Sequence, residues 1–302
     1  MHFRPPFFVA GSHRLIWALS LAGSLAVGSV DVNAAEDLRH HVPADASWAV
    51  VVKVADYLDS RTGGGLTDRY WDERAERWRE SMRRDFGMDP LREVDAVILH
   101  GPDGDPANGV AVVLGAFKPE GVEQRLRGKD DYRQVEERGQ VVHVWNSGAA
   151  AYPAEGIAVL GRGKEPVIKA VDVIQGRRSS IGAEALGGMD PRRMGEFLTG
   201  FSHEGSLLQR FPPKAAILRH ARNVRFSSGE DAEVLWGRFT LEIPEEDVSR
   251  QVETIIMGWI GYARLAEEAR DPFSLAFRHA SVERTNDVVE IRFEVPLDDL
   301  PF

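Results

Sequence analysis

Apolar and polar positions along this chain follow two periods, and the switches between them mark its elements. Trp48, Val50, Val52 and Val54 alternate with Ala49, Val51 and Lys53, a run apolar on nearly both sides. That pattern predicts a strand central in a sheet. After the flexible triplet Gly63-Gly64-Gly65 the period becomes helical. Trp71, Ala75, Trp78, Met82 and Phe86 form one apolar stripe, while Glu73–Arg77 and Glu80–Arg84 supply i, i+4 pairs on the other side. Thr67 or Asp68 is the expected N-cap and Gly87 the expected end.

From Val94 the alternation of hairpins takes over. Ala96–His100 and Val110–Phe117 read as strands around a turn-forming cluster at 101–106. Pro119 opens a helix that Gly128 closes, and Tyr132–Glu137 and Gln140–Trp145 complete a β-β-α-β-β unit. The same order returns with Asn223–Ser227, Glu233–Ile243, a long helix from Pro244 through Val248, Val252, Ile255, Ile256, Trp259 and Ile260, and a closing hairpin of His279–Arg284 and Val288–Val295. In the last strand Val289, Ile291, Phe293 and Val295 alternate with Val288, Glu290, Arg292 and Glu294, the mark of one buried and one wet face. Between the units lie a strand at Gly156–Leu160 and a helix with Pro166 at its start, ending at Gly176.

The expected fold is therefore α+β: two β-β-α-β-β units with antiparallel sheets and helices packed on one face. The expected divisions are a leader at 1–34, an N-terminal half at 35–176, a linker with a short helix at 177–213 and a C-terminal half at 214–302. The equivalence of the two units rests on element order and on Pro119 and Pro244, each opening a central helix.

Composition adds a destination and removes several function classes. Arg4 and Arg14 precede the apolar stretch Leu15–Val27, and Val32-Asn33-Ala34 supplies small residues at −3 and −1, so the reading is a secretory signal peptide cleaved after Ala34. The apolar stretch is too short for a bilayer span of roughly 20 residues, and no anchor is expected after cleavage. The chain has no cysteine, hence neither a lipidation site nor a disulfide framework. Its formal charge of −10 becomes −11 once two arginines and Asp31 leave with the leader. That sign repels phosphate backbones, so nucleic acid is not an expected partner.

The segments Pro-Ala-Asp-Ala-Ser-Trp-Ala-Val-Val-Val-Lys-Val (Pro43–Val54) and Gly-Ile-Ala-Val-Leu-Gly-Arg (Gly156–Arg162), the second ahead of a helix ending in glycine, resemble secreted bacterial proteins built of two α+β halves. The resemblance implies that layout and, because those proteins have no established activity, no particular site.

Several segments approach motifs that carry chemistry, and each departs from its pattern. Ser202-His203-Glu204 lacks the second glycine of a nucleophile elbow, and Leu207 stands where a zincin has its second histidine. Asp103, Asp105 and Asn108 suggest a calcium loop, but Ala107 and Leu114 break the ligand pattern, and a hairpin turn is expected. Gly161-Arg162-Gly163-Lys164 has Glu165 where a phosphate loop needs a hydroxyl. His40-His41 on an extended segment would point apart. His143, beside Val141 and Trp145, and His100 at a strand end are candidate bases, with a satisfied structural histidine as the plainer reading. Trp71 and Trp78 could stack sugars, although their stripe favours the core. No catalytic, metal or cofactor residue is therefore assigned. The expected function is a non-enzymatic binding or interaction protein of the periplasm or exterior. Two alternatives stand beside it, an envelope hydrolase with a site assembled from residues distant in sequence, and a small-molecule binder at the seam between the halves. Convergence of His100, His143, His203, His220 and His279 would favour the enzyme.

Overall fold

The computed structural model describes residues 38–70, 72–86, 88–105, 108–116, 119–128, 131–146, 148–182, 195–203, 220–266 and 272–300. Residues 1–34, expected to be a leader, and Trp71 lie outside them. Twelve antiparallel strands form one sheet: β1 Trp48–Lys53, β2 Val94–Gly101, β3 Val110–Gly115, β4 Arg133–Glu137, β5 Gln140–Trp145, β6 Gly148–Ala154, β7 Ile157–Gly161, β8 Glu196–His203, β9 Asn223–Glu230, β10 Val234–Glu242, β11 Ala280–Thr285 and β12 Val288–Pro296. Their lateral order is β11-β12-β10-β9-β8-β1-β2-β3-β7-β6-β5-β4. The helices are α1 Val54–Asp59, α2 Arg61–Tyr70, α3 Glu73–Phe86, α4 Pro90–Glu93, α5 Pro119–Leu126, α6 Lys164–Ile174, α7 Glu246–Leu265 and α8 Pro272–Arg278.

The fold is α+β, and the order β-β-α-β-β occurs twice along the chain, in β2-β3-α5-β4-β5 and in β9-β10-α7-β11-β12, with the short α8 added to the second. The pairing within the units differs. In the second, β10 pairs with β12, whereas β3 pairs with β7 and leaves β4 and β5 at the far edge. A shift of frame restores the match, since β1-β2-β3-β7-β6 and β8-β9-β10-β12-β11 have the same lateral order on either side of the central β1–β8 pair. The strand that makes this possible, β8, lies inside the stretch expected to be a linker. Its sequence Glu-Phe-Leu-Thr-Gly-Phe-Ser-His shows only partial alternation, and it is buried because β1 and β9 flank it. The strand β6 also escapes the sequence pattern. Its Ala149, Ala150 and Ala151 have little strand preference, yet all three are fully buried.

Two further differences concern the first helical region. The single helix expected from Thr67 to Gly87 is two, α2 and α3, and the glycine triplet belongs to α2. Gly63 is required there, since a Cβ would run into the Tyr57 carbonyl. Among the described members of the apolar stripe, Ala75 is buried and Trp78 and Met82 are half-buried.

Alternation sorts the core. Ala49, Val51, Ala96, Ile98, Val112 and Val159 project to one face, where Val167, Ile168 and Val171 of α6 cover them. Val52, Val113 and Ala158 project to the other, under Val54, Tyr57 and Leu58 of α1. The central helices of both units lie on this second face. Leu126 of α5 packs on Ala150, and Val252, Ile256 and Ile260 of α7 pack on Val224, Leu241 and Val289. In the C-terminal half the α6 side is wet, with Arg292 and Glu294 exposed and Glu290 gripped by Arg238 and Arg292.

Candidate functional site

The five histidines singled out in the sequence do not converge. His100 ends β2 on the α6 side, 4% exposed, and its Nε2 has no hydrogen-bond partner. Burial, reinforced by the nearby Lys169 ammonium and opposed by Asp45, pushes its pKa down to about 4. His203 sits at the end of β8 with Nδ1 2.7 Å from the Asn223 side-chain oxygen. His279 lies 3.2 Å from Asp299, and His220 is exposed before β9. His40 and His41 belong to a 3-10 turn, Leu38–His41, rather than an extended segment. Among the described residues no group of three His, Asp or Glu is placed to hold a metal.

The remaining motifs resolve into structure. The Asp103 carboxylate accepts from the Asp105 amide at 2.8 Å and from Asn108 Nδ2 at 2.9 Å, which makes a hairpin turn. Gly163 caps α6, and Lys164 reaches Glu137 at 2.6 Å instead of a phosphate. The residue after His203 lies outside the described region.

Two arrangements are left that the sequence reading did not assemble. In the first, His143 of β5 points under α5, 1% exposed. Its Nδ1 is 2.8 Å from the Tyr132 hydroxyl, and its Nε2 is 3.4 Å from a Glu123 carboxylate oxygen. Tyr132 stacks on the imidazole and Tyr152 meets it edge-on, with centroids at 6.0 and 5.7 Å. Burial lowers the His143 pKa, Glu123 counteracts this and Arg127 adds to it. The Tyr152 hydroxyl is shut off from solvent without a partner, and burial raises its pKa, with Glu123 and Tyr132 adding to the shift. Three elements supply these groups: α5, the segment before β4, and the β5–β6 pair. Only His143 was visible in the sequence, because the spacing of Glu123, Tyr132 and Tyr152 has no period.

The second arrangement is the outer face of α7. Ile255, Met257, Tyr262 and Leu265 are 40%, 50%, 74% and 85% exposed. Nothing lies within 4 Å of a Cβ built on Gly258 or Gly261. The signal was present in the sequence as the run Thr254–Ala263, ten residues without a charge. A helix apolar all round is ordinarily buried all round, and this one is not.

The seam between the halves is the β1–β8 ladder itself, from Trp48↔Ser202 to Val52↔Leu198.

The fold thus defines an α+β protein with one mixed-connection antiparallel sheet and helices layered mainly on one side. Solved structures of TP0453 share it. Crystal form IV matches with 9% identity over 86% of this chain and 93% of that one at a TM-score of 0.50. Crystal form I matches with 10% identity over 90% and 95%, also at 0.50. At such identity the likeness is one of fold. No family model matches the chain, and no curated protein matches it.

Proposed function

We propose that this chain is an exported binding or interaction protein of the periplasm or cell exterior, and that it holds a partner protein on the outer face of α7. The observation that carries the reading is the exposure of Ile255, Met257 and Tyr262 on a charge-free stretch of helix, and of Leu265 just beyond Arg264 at its end. Contiguous apolar surface left in water is a standing free-energy cost, and it marks contact sites. The comparison within the chain is instructive, because the exposed positions of α3 carry Glu73, Arg77, Glu80, Arg83 and Arg84 instead. Export rests on the leader, with Ala35 as the mature start, which the intact mass of the secreted product checks.

A photo-crosslinking residue at 262 should trap a discrete partner in the envelope fraction, and Leu265→Lys should abolish the product. Since Leu265 is mostly exposed, that substitution should leave stability within about 0.5 kcal/mol of the parent. No adduct at 262, or one indifferent to Leu265→Lys, refutes the reading.

A second reading, an envelope hydrolase, is favoured by a separate observation: Glu123, Tyr132 and His143 meet from three different elements.

A further inference from the structure

We infer that Tyr132 is the nucleophile of an acyl-transfer site in which His143 is the base, Glu123 positions His143, and Tyr152 stabilises the oxyanion, with small carboxylic esters as substrate. The inference rests on the hydrolase reading.

Proton positions follow from the neighbours. The Glu123 carboxylate, 3.4 Å from Nε2, favours the tautomer with its hydrogen on that nitrogen. In that tautomer Nδ1 carries a lone pair, and the Tyr132 hydroxyl at 2.8 Å donates to it. Burial keeps the imidazole neutral, so it can accept a proton. A nucleophile on a base that a third group orients is the arrangement that activates hydroxyls in acyl transfer. A packing histidine needs a partner for each nitrogen, but it does not require one partner to be a partly buried phenol. The fourth group supplies what a packing account leaves over. The Tyr152 hydroxyl is enclosed and unpartnered. Its raised pKa keeps the proton in place, and an orphaned buried donor is costly unless something accepts from it. A developing oxyanion is such an acceptor.

In the first step the Tyr132 oxygen forms a bond to the ester carbonyl carbon, and its proton passes to His143 Nδ1. The carbonyl electron pair moves onto oxygen, which accepts a hydrogen bond from Tyr152. Collapse re-forms the carbonyl and breaks the bond to the alcohol oxygen, which takes the proton from His143 and leaves. Water then attacks the acyl-tyrosine, giving its proton to the same nitrogen, and the returning proton restores Tyr132 as the carboxylic acid departs.

The test uses the full mature chain with p-nitrophenyl acetate near pH 8. Released nitrophenol and peptide mapping by mass spectrometry are followed together, since mapping separates Tyr132 from surface lysines. One acetyl group should appear on Tyr132 and then decay. Tyr132→Phe keeps the ring and should abolish both acetylation and turnover. Glu123→Gln, at a partly exposed site, should slow turnover about a hundredfold, and should shift the pH–rate profile. Tyr152→Phe should lower kcat with little change in KM. Circular dichroism of each variant establishes that the fold is retained. Turnover that persists in Tyr132→Phe overturns this site and leaves the hydrolase reading standing. Absence of both acetyl-Tyr132 and turnover in the folded parent protein overturns both. A Glu123→Gln variant with unchanged rate and pH profile also overturns the relay.

Discussion

Acid should weaken this protein through His100, and the size of the effect can be worked out. The folded-state pKa is about 4 against 6.5 for a free imidazole. A depressed histidine pKa means that the unfolded chain binds the proton more readily. Its contribution therefore vanishes above about pH 7, grows as pH falls below 6.5, and levels off below about 4. At pH 4.5 the linkage relation gives a loss of about 2.5 kcal/mol relative to pH 7.5. The ring is almost wholly buried, so screening by solvent reduces this little. Other groups titrate over the same range, and a double difference removes them. Urea unfolding of the parent and of His100→Leu at pH 7.5 and 4.5 gives four stabilities. The parent should lose about 2–3 kcal/mol more on acidification than the variant does. A double difference under about 0.5 kcal/mol, or one of the opposite sign, would refute the assignment of a buried, neutral imidazole with an unpartnered Nε2.

Asp89 accepts from the Leu91 amide at the start of α4 and pairs with Arg79 and Arg83, which hold its pKa at about 2 against the opposing effect of burial. Asp89→Asn should cost about 1–2 kcal/mol at pH 7, and the gap between the two proteins should close as pH falls below about 4, because a depressed carboxylate stabilises only while ionised; an unchanged gap at pH 2.5 would count against the pairing. Gly200→Ala should cost about 2 kcal/mol or more by chemical denaturation, since its Cβ would stand 2.5 Å from the Ala49 carbonyl of β1 and 2.5 Å from the Phe226 ring of β9. Gly258→Ala should instead raise stability by about 0.5–1 kcal/mol, as nothing crowds that position, and a loss would show that the surface of α7 is not open there. Trp78→Ala should cost about 1–2 kcal/mol, below the 3–5 expected of a core aromatic, because the ring is half-buried.

Sequence alone determined the elements whose side chains carry their own instruction. The alternation at Trp48–Lys53 and Val288–Val295 calls for strands whichever neighbours they acquire, although Val54, read as the last strand position, begins α1. Pro119 marks the opening of α5 through its fixed backbone angle, whereas Pro244, read as opening the second central helix, lies ahead of α7, whose N-cap is Glu245 and whose first turn carries Glu246 and Asp247. The wet face of β12 was likewise legible, because Glu290, Arg292 and Glu294 share a parity. Tertiary structure decided the rest. The strand β8, read as part of a connector, and the alanines of β6 become strands through hydrogen bonds to partners over a hundred residues or only a few residues away, which local propensity does not register. Lateral order was equally hidden. Two segments with the same β-β-α-β-β succession pair differently because β7 takes the place beside β3 that β12 takes beside β10. The candidate sites divide along the same line. The outer face of α7 was written in the charge-free run Thr254–Ala263, since exposure of an apolar helix face follows once its opposite face is known to pack. The meeting of Glu123, Tyr132, His143 and Tyr152 was not, because residues on a helix, a loop and two strands share no period, and only the packing of α5 across the sheet brings them within reach of one imidazole.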